Sequence, residues 1–191
     1  MIPEISLELS SLGQIQLRPI QASDQIELYE LMGKVYRDAY QSIWTDAGAW
    51  YVDIIYGKET LEKELKRERS HYFFIELEGQ RAGVFKYDFP FSPRETPIPS
   101  AMKIHRLYLD SRYHGTGLAK LLIDYAERIA RGNKLENIWL EAMSCQPQAK
   151  RFYEKCGFEV VYSYKLDFER IYPEFREILI MRKKLTINYI N

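Results

Sequence analysis

Polar and apolar residues alternate along several short segments of the chain, and a repeat of two residues is typical of strands with one buried face. The first such segment is QIQLRPI, Gln14 to Ile20. Two more, HYFFIEL and QRAGVFKYDF, flank Glu78 and Gly79, a pair that favours a hairpin turn. Four further segments bring the number of predicted strands to about seven: MKIHRLYL, NIWLEAM, FEVVYSYKLDF and REILIMRKKL.

Other segments repeat apolar residues at intervals of three and four, which indicates amphipathic helices. They lie near DQIELYELMGKVY, KETLEKELKRER, GLAKLLIDYAERIARG and QPQAKRFYEKCG. The aromatic stretch between the first two has no clear period. The segment from Phe89 to Ser100 holds four prolines and is predicted to form a semi-rigid loop. This order predicts one mixed α/β domain over residues 1–191.

Composition narrows the function classes. Lys plus Arg and Asp plus Glu each number 27, so no basic excess points to nucleic acid. No apolar run approaches the roughly 18 residues that a membrane helix needs, and the first residues do not resemble a secretory signal. Two cysteines do not form a disulfide framework. We therefore predict a cytoplasmic protein with no membrane or nucleic-acid partner.

The segment RYHGTGLAKLL, from Arg112 to Leu122, places two glycines directly before a predicted helix. The first turn of a helix has backbone N–H groups without partners, and its dipole favours negative charge. Bare Gly115 and Gly117 would let a phosphate reach those N–H groups. A plain tight turn into the helix is the alternative. The sequence has neither a Walker-type Gly-Lys-Ser/Thr nor the third glycine of a dinucleotide fingerprint.

Two motifs carry a family resemblance. RLYLDSRYHGTGLAKLLIDYAER resembles the acetyl-coenzyme A binding motif of the GNAT superfamily of N-acetyltransferases, and AKRFYEKCGF resembles its second signature. They stand in the family's order, with the strand IWLEA between them. The resemblance implies a central twisted mixed sheet of about seven strands flanked by about four helices. Within the superfamily, the chain looks closest to a branch that includes bacterial polyamine acetyltransferases.

The resemblance also implies cofactor contacts. Acetyl-coenzyme A is expected as co-substrate, with its pantetheine arm pairing like an added strand beside Leu107 and Leu109. Gln146 takes the place of a family asparagine that contacts the cofactor, and Tyr153 matches a tyrosine near the thioester sulfur. The full set of expected contacts is Leu107, Tyr108, Leu109, Arg112, His114, Gly115, Thr116, Gly117, Leu118, Ala119, Gln146 and Tyr153.

The implied reaction is direct attack of an amine on the thioester. Tyr153 is the candidate acid for the leaving thiolate, with packing as the alternative role. Lys103 stands where many relatives have a glutamate, so the base is left open between His105, Glu141 and a chain of waters. A cysteine nucleophile is not expected, because neither cysteine has an activating motif. The three histidines are scattered, and no metal site is predicted.

The acceptor site is expected among the aromatic residues that follow the first helix, with Tyr36, Trp44 and Tyr51 as candidates. Aromatic faces and nearby carboxylates suit a cationic amine, which favours a small amine or polyamine. Simple packing of the aromatics is the alternative. A protein N-terminal or lysine acetyltransferase and a non-catalytic acetyl-coenzyme A sensor stay open as other functions. The proline loop is expected to wall the site or to contact a second subunit in a homodimer.

Overall fold

A computed structural model describes residues 2–186, which contain eight strands and five α-helices. The strands are β1 (Ile5–Leu9), β2 (Gly13–Pro19), β3 (Ser70–Leu77), β4 (Gln80–Asp88), β5 (Ala101–Leu109), β6 (Asn137–Met143), β7 (Glu159–Lys165) and β8 (Glu177–Lys184). The helices are α1 (Gln25–Tyr40), α2 (Ala49–Ile55), α3 (Lys58–Leu65), α4 (Leu118–Gly132) and α5 (Pro147–Lys155).

The strands form one sheet in the order β1-β2-β3-β4-β5-β6-β8-β7. β5 and β6 run parallel, with Ala101 opposite Asn137 and Ile104 opposite Leu140. β8 runs antiparallel to both of its neighbours, which makes the sheet mixed. The predicted mixed α/β fold is confirmed. Within residues 2–186, no helix is both long and apolar enough to cross a membrane.

The expected numbers of strands and helices were each one too low. β1 was missed because it has only five residues, although Leu7 faces Ile15 of β2 in an antiparallel pair. α2 was missed because its apolar residues show no clear period. The Asp46 carboxylate starts it by accepting hydrogen bonds from the backbone N–H groups of Gly48 and Trp50. Gly48, in a left-handed conformation, is the N-cap of α2, and Asp46 supports this start.

Backbone contacts divide the chain into two compact units, so one domain over residues 1–191 stays a prediction. The first unit runs to Lys86 and adds Arg106–Leu121. Its sheet core is formed by fully buried residues of β2 and β3, among them Ile15, Leu17 and Phe73. The predicted hairpin at Glu78 and Gly79 is confirmed, and both residues have the positive φ that such a turn requires.

The second unit comprises Tyr87–His105 and the chain from Leu122 onward. Its core cluster joins Ile98 of the proline loop to Ala101, Trp139 and Ile180 of the sheet. The loop is fixed there by two hydrogen bonds of Phe91. Its N–H donates to Ala101 O at 2.8 Å, and its carbonyl accepts from Trp139 Nε1 at 2.7 Å. The prolines therefore sit in a loop that is held against the sheet.

Candidate active site

The turn between β5 and α4 is organised by one buried carboxylate. Asp110 is 2% exposed and accepts hydrogen bonds from the backbone N–H of Arg112, from its guanidinium, and from Lys34 Nζ at 2.8 Å. These donors, Arg112 first, hold the pKa of Asp110 well below its usual range. Arg112 was expected at a pyrophosphate. In the structure its guanidinium is paired with Asp110, while its role at a pyrophosphate stays a prediction.

The two glycines of this turn adopt the conformation that their position requires. Gly115 has a φ of +76° and Gly117 a φ of +93°, both in the left-handed region that favours glycine. A Cβ on Gly115 would meet nothing within 4 Å, so its backbone faces open space. Thr116 Oγ1 donates to Tyr113 O at 2.8 Å and accepts from the N–H of Leu118, where α4 begins. An open, bare turn at a helix start fits the phosphate group that the motif implies.

His114 also serves the turn in this structure. Its Nε2 lies 3.2 Å from Leu109 O, and its backbone N–H donates to Ser111 O. The side chain is exposed, as is Gly115 beside it. Ala119, the next expected contact, lies in the first turn of α4.

The end of β5 is the segment expected to pair with pantetheine. The register of β5 with β6 ends at Ile104, three residues before Leu107. Sequence reasoning missed Gly83 on β4, where an added Cβ would lie 2.0 Å from Tyr108 O. Glycine therefore permits the close approach of β4 to β5 at this point, and a glycine inside a strand pattern was the available signal.

Tyr153 lies on α5 and packs between two phenyl rings, with centroid distances of 5.2 Å to Phe152 and 5.8 Å to Phe158. Burial raises the pKa of Tyr153 to about 12, with a smaller contribution from Cys156. Its hydroxyl therefore keeps its proton at neutral pH, as an acid must. Gln146 immediately precedes α5 and is half-buried.

The two candidate bases lie in the second unit and have different partners. Both oxygens of Glu141 accept hydrogen bonds, one from Lys103 Nζ at 2.8 Å and one from the Tyr164 hydroxyl at 2.9 Å. His105 is separate from this group, with its Nε2 3.1 Å from Asp88 Oδ2. Sequence reasoning missed Asp88, because nothing local links it to a histidine 17 residues away in the chain.

Two of the three candidate acceptor residues are buried in an aromatic cluster of the first unit. Tyr36 stacks on Tyr40 and Tyr51 at centroid distances of 4.8 and 4.5 Å, and Trp44 Nε1 donates to its hydroxyl at 3.0 Å. Tyr36 and Trp44 are buried, whereas Tyr51 is half-buried. Tyr108 of β5 meets the cluster edge-on, 6.0 Å from Tyr36. The structure thus joins an expected cofactor residue to the expected acceptor residues.

Neither cysteine lies in surroundings that favour a reactive thiolate. Cys156 is buried, and burial raises the pKa of Cys145, which disfavours the reactive thiolate. Residues 2–186 contain no group of three or more His, Cys, Asp or Glu side chains placed to hold a metal ion.

The mixed sheet and the glycine turn between β5 and α4 agree with the acetyltransferase resemblance of the sequence. Residues 27–158 match the model of the acetyltransferase (GNAT) family, and the chain belongs to that family.

Individual relatives are distant. The chain is 28% identical over 109 residues to an uncharacterized N-acetyltransferase of Lactobacillus delbrueckii subsp. lactis. The aligned residues make up 57% of this chain and 63% of that protein. The chain therefore spans slightly less than two thirds of that relative's length.

Two solved structures share the fold. The PaiA N-acetyltransferase of Thermoplasma acidophilum in complex with coenzyme A has a TM-score of 0.68 at 21% identity, covering 90% of this chain and 99% of its own. A spermidine N-acetyltransferase of Vibrio cholerae in complex with coenzyme A and spermine has a TM-score of 0.65 at 18% identity, covering 93% and 98%.

Proposed function

We propose that the protein transfers the acetyl group of acetyl-coenzyme A to a primary amine of a small molecule, with a polyamine as the favoured acceptor. The observation that carries this proposal is the contact of Tyr108 with the aromatic cluster, at 6.0 Å from Tyr36 and 6.2 Å from Tyr40. Tyr108 lies between the two residues expected to pair with pantetheine. Acceptor and donor would thus meet at the end of β5.

The acetyl-coenzyme A site is proposed to begin at the glycine turn. The main chain of Gly115, Gly117 and Ala119 would hold the pyrophosphate, and Leu107 and Leu109 would pair with the pantetheine arm. The bound co-substrate supplies an activated acyl group, because a thiolate is a good leaving group.

The acceptor site is proposed at the half-buried rings of Tyr40 and Tyr51, which leave ring surface accessible beside the buried Tyr36. An ammonium over such rings would gain cation–π attraction. A molecule with several ammonium groups could contact more than one ring. The spermine complex of the distant Vibrio cholerae structure agrees with this preference.

The acetyl transfer also requires groups that donate and accept protons. A primary ammonium loses two protons when it becomes an amide, and the departing thiolate takes one. We assign the donor role toward sulfur to Tyr153, whose raised pKa keeps its hydroxyl protonated. His105, Glu141 and a water chain are the candidates for the group that accepts the first proton. The homodimer and the cytoplasmic location stay predictions.

The test is an acceptor panel in which release of free coenzyme A thiol is measured with polyamines, monoamines, amino acids and short peptides. We expect turnover with polyamines or small amines and little with peptides. Turnover with peptides alone would replace this proposal with a protein acetyltransferase. Firm acetyl-coenzyme A binding without any turnover would favour a sensor.

A further inference from the structure

The turn between β1 and β2 lies against the glycine turn that precedes α4. Ser11, in the β1–β2 turn, donates a hydrogen bond from its Oγ to the backbone carbonyl of Thr116 at 3.0 Å. A Cβ added to Gly117 would lie 3.8 Å from the side chain of Leu9, the last residue of β1. All four residues belong to the first compact unit. The β1–β2 turn therefore contacts two consecutive residues of the glycine turn.

The β1–β2 turn that carries Ser11 is itself fixed by the backbone. The N–H of Leu12 donates to the carbonyl of Leu9 at 2.9 Å, which closes the turn around Ser11. Leu9 and Gly13 form the adjacent pair of the antiparallel β1–β2 ladder. The Ser11 hydroxyl is thus attached to a closed turn at the end of a paired hairpin, which favours one position for it.

We propose that Ser11 is a positioning residue for the diphosphate of coenzyme A, which acts by orienting the peptide bond between Thr116 and Gly117. This inference rests on the acetyl-coenzyme A site proposed above. That peptide bond is trans, and in a trans peptide the C=O and the N–H point in opposite directions. Because Ser11 holds the carbonyl of Thr116 toward the β1–β2 turn, the N–H of Gly117 points away from it. Ser11 acts through this N–H and does not itself contact the cofactor.

The N–H of Gly117 is available for a ligand. Within residues 2–186 it donates to no acceptor, whereas the next N–H, of Leu118, donates to Thr116 Oγ1 at 3.4 Å. It lies at the start of α4, a helix of 15 residues whose dipole favours an anion at this end. The first turn of α4 has no acidic side chain that could take that place. A phosphate oxygen is the kind of acceptor that suits such a donor.

This peptide bond needs a support because it adjoins a glycine. Turning its plane over changes ψ of Thr116 and φ of Gly117, and glycine populates positive and negative φ about equally. The side chain of Thr116 bonds to Tyr113 O and to the N–H of Leu118, and neither bond involves the Thr116 carbonyl. The Ser11 hydroxyl is the group that bonds to this carbonyl, so it selects one orientation of the N–H.

The first test compares ligands that differ in the diphosphate. Acetyl-coenzyme A and dephospho-coenzyme A carry the diphosphate, whereas S-acetylpantetheine lacks it, and the affinity of each is measured by NMR titration. We expect Ser11→Ala to weaken the binding of the first two about three- to tenfold, as the loss of one well-oriented hydrogen bond would do. The affinity for S-acetylpantetheine should not change.

Two further variants control this comparison. Ser11→Thr keeps a hydroxyl at the same position and should recover most of the lost affinity. Ser10→Ala changes the exposed neighbour in the same turn and should bind all three ligands like the unaltered protein. A recovery by threonine would show that the hydroxyl, and not the size of the side chain, supports binding.

The second test observes the N–H directly. Nitrogen-15 NMR resolves the backbone amides, and Gly117→Ala assigns the Gly117 signal by its loss. We expect acetyl-coenzyme A to move the Gly117 amide proton downfield, as donation to a phosphate oxygen would do, and S-acetylpantetheine to leave it in place. The movement should be smaller in Ser11→Ala. An unmoved Gly117 signal in the unaltered protein saturated with acetyl-coenzyme A would overturn the proposal, even if Ser11→Ala failed to fold.

The outcomes separate this inference from the proposed function. Equal losses for all three ligands in Ser11→Ala, or no loss for any, would overturn the positioning role while leaving an active acetyltransferase. The predicted losses in a protein that acetylates no amine would instead remove the proposed function and leave the role of Ser11. An unaltered protein that does not bind acetyl-coenzyme A would overturn both.

Discussion

At the scale of single residues, Tyr153 carries the most direct prediction. Tyr153→Phe keeps the ring that packs against Phe152 and Phe158 and removes only the proton donor. We expect kcat to fall about 10²-fold or more while the KM for acetyl-coenzyme A changes little. Tyr172→Phe, at a side chain 41% exposed, is the matched control and should retain full activity.

The pH profile checks the same assignment. Because the pKa of Tyr153 is raised to about 12, its hydroxyl stays protonated throughout a range from about pH 7 to pH 10. Deprotonation of Tyr153 should therefore not lower the reaction rate in this range. The rate should instead rise with pH as the acceptor amine loses its proton. An undiminished rate in Tyr153→Phe would assign the acid role elsewhere.

The lowered pKa of Asp110 predicts that the stability of the folded protein depends on pH. Its pKa is lowered in the folded protein by Arg112 and Lys34, so its contribution is present above the unfolded pKa of about 3.9 and is lost as pH falls through the lower folded value. Urea unfolding should show Asp110→Asn less stable than the unaltered protein at pH 7, with the difference shrinking below about pH 4. Asp38→Asn, at an exposed site, should show no such change. A constant difference down to pH 3 would contradict this account.

At the scale of elements, one ion pair joins α3 to β5. Arg106 donates two hydrogen bonds to the Glu64 carboxylate, at 2.6 and 3.0 Å, and both residues are buried. Breaking one side of such a pair leaves an uncompensated charge and costs about 3–5 kcal/mol. Glu64→Gln should lower the free energy of unfolding by that amount. Glu59→Gln, on the same helix at a side chain 92% exposed, should change it by less than about 0.5 kcal/mol.

The proposed phosphate role of the glycine turn predicts that substitutions in the turn weaken the binding of acetyl-coenzyme A. An alanine at Gly115 or Gly117 must adopt a left-handed φ, at a cost of about 1–2 kcal/mol, and places a methyl group where the main chain is proposed to meet phosphate. We expect calorimetry to show at least tenfold weaker acetyl-coenzyme A binding for both variants. Gly132→Ala, at the end of α4 with nothing within 4 Å, should bind normally. Unchanged affinity in both turn variants would remove the phosphate role.

The sequence could predict the elements that have a clear hydrophobic period or that are bounded by characteristic turn residues. The β3–β4 hairpin followed from alternating strands around Glu78 and Gly79, and α4 followed from its apolar stripe. β1 was too short for a firm pattern. α2 depends on Asp46 accepting backbone hydrogen bonds, which is a matter of local geometry and not of periodicity.

At the scale of the whole molecule, the site was predictable only where its residues are adjacent in the chain. The turn from Arg112 to Gly117 is one continuous segment, and its motif gave its position. The pairs Asp88–His105 and Lys103–Glu141 join different strands, so only the sheet brings them together. The role of Arg112 at the phosphate stays a prediction, and sequence could not show that its guanidinium also pairs with the buried Asp110.

The balance of 27 basic and 27 acidic residues also bears on the whole molecule. With no net charge, the protein has no broad field that would attract a polycationic acceptor from a distance. We propose that local groups select the acceptor, and the aromatic cluster around Tyr36 is the proposed place.

The most direct test of acetyl transfer to a small amine is to follow an isotopically labelled acetyl group. Labelled acetyl-coenzyme A would be incubated with the protein and a mixture of polyamines, monoamines and peptides, and the labelled product identified by mass spectrometry. We predict one labelled acetyl group on a primary nitrogen of a polyamine or small amine for each coenzyme A released. Label found only on peptides, or only in free acetate, would contradict the proposed function.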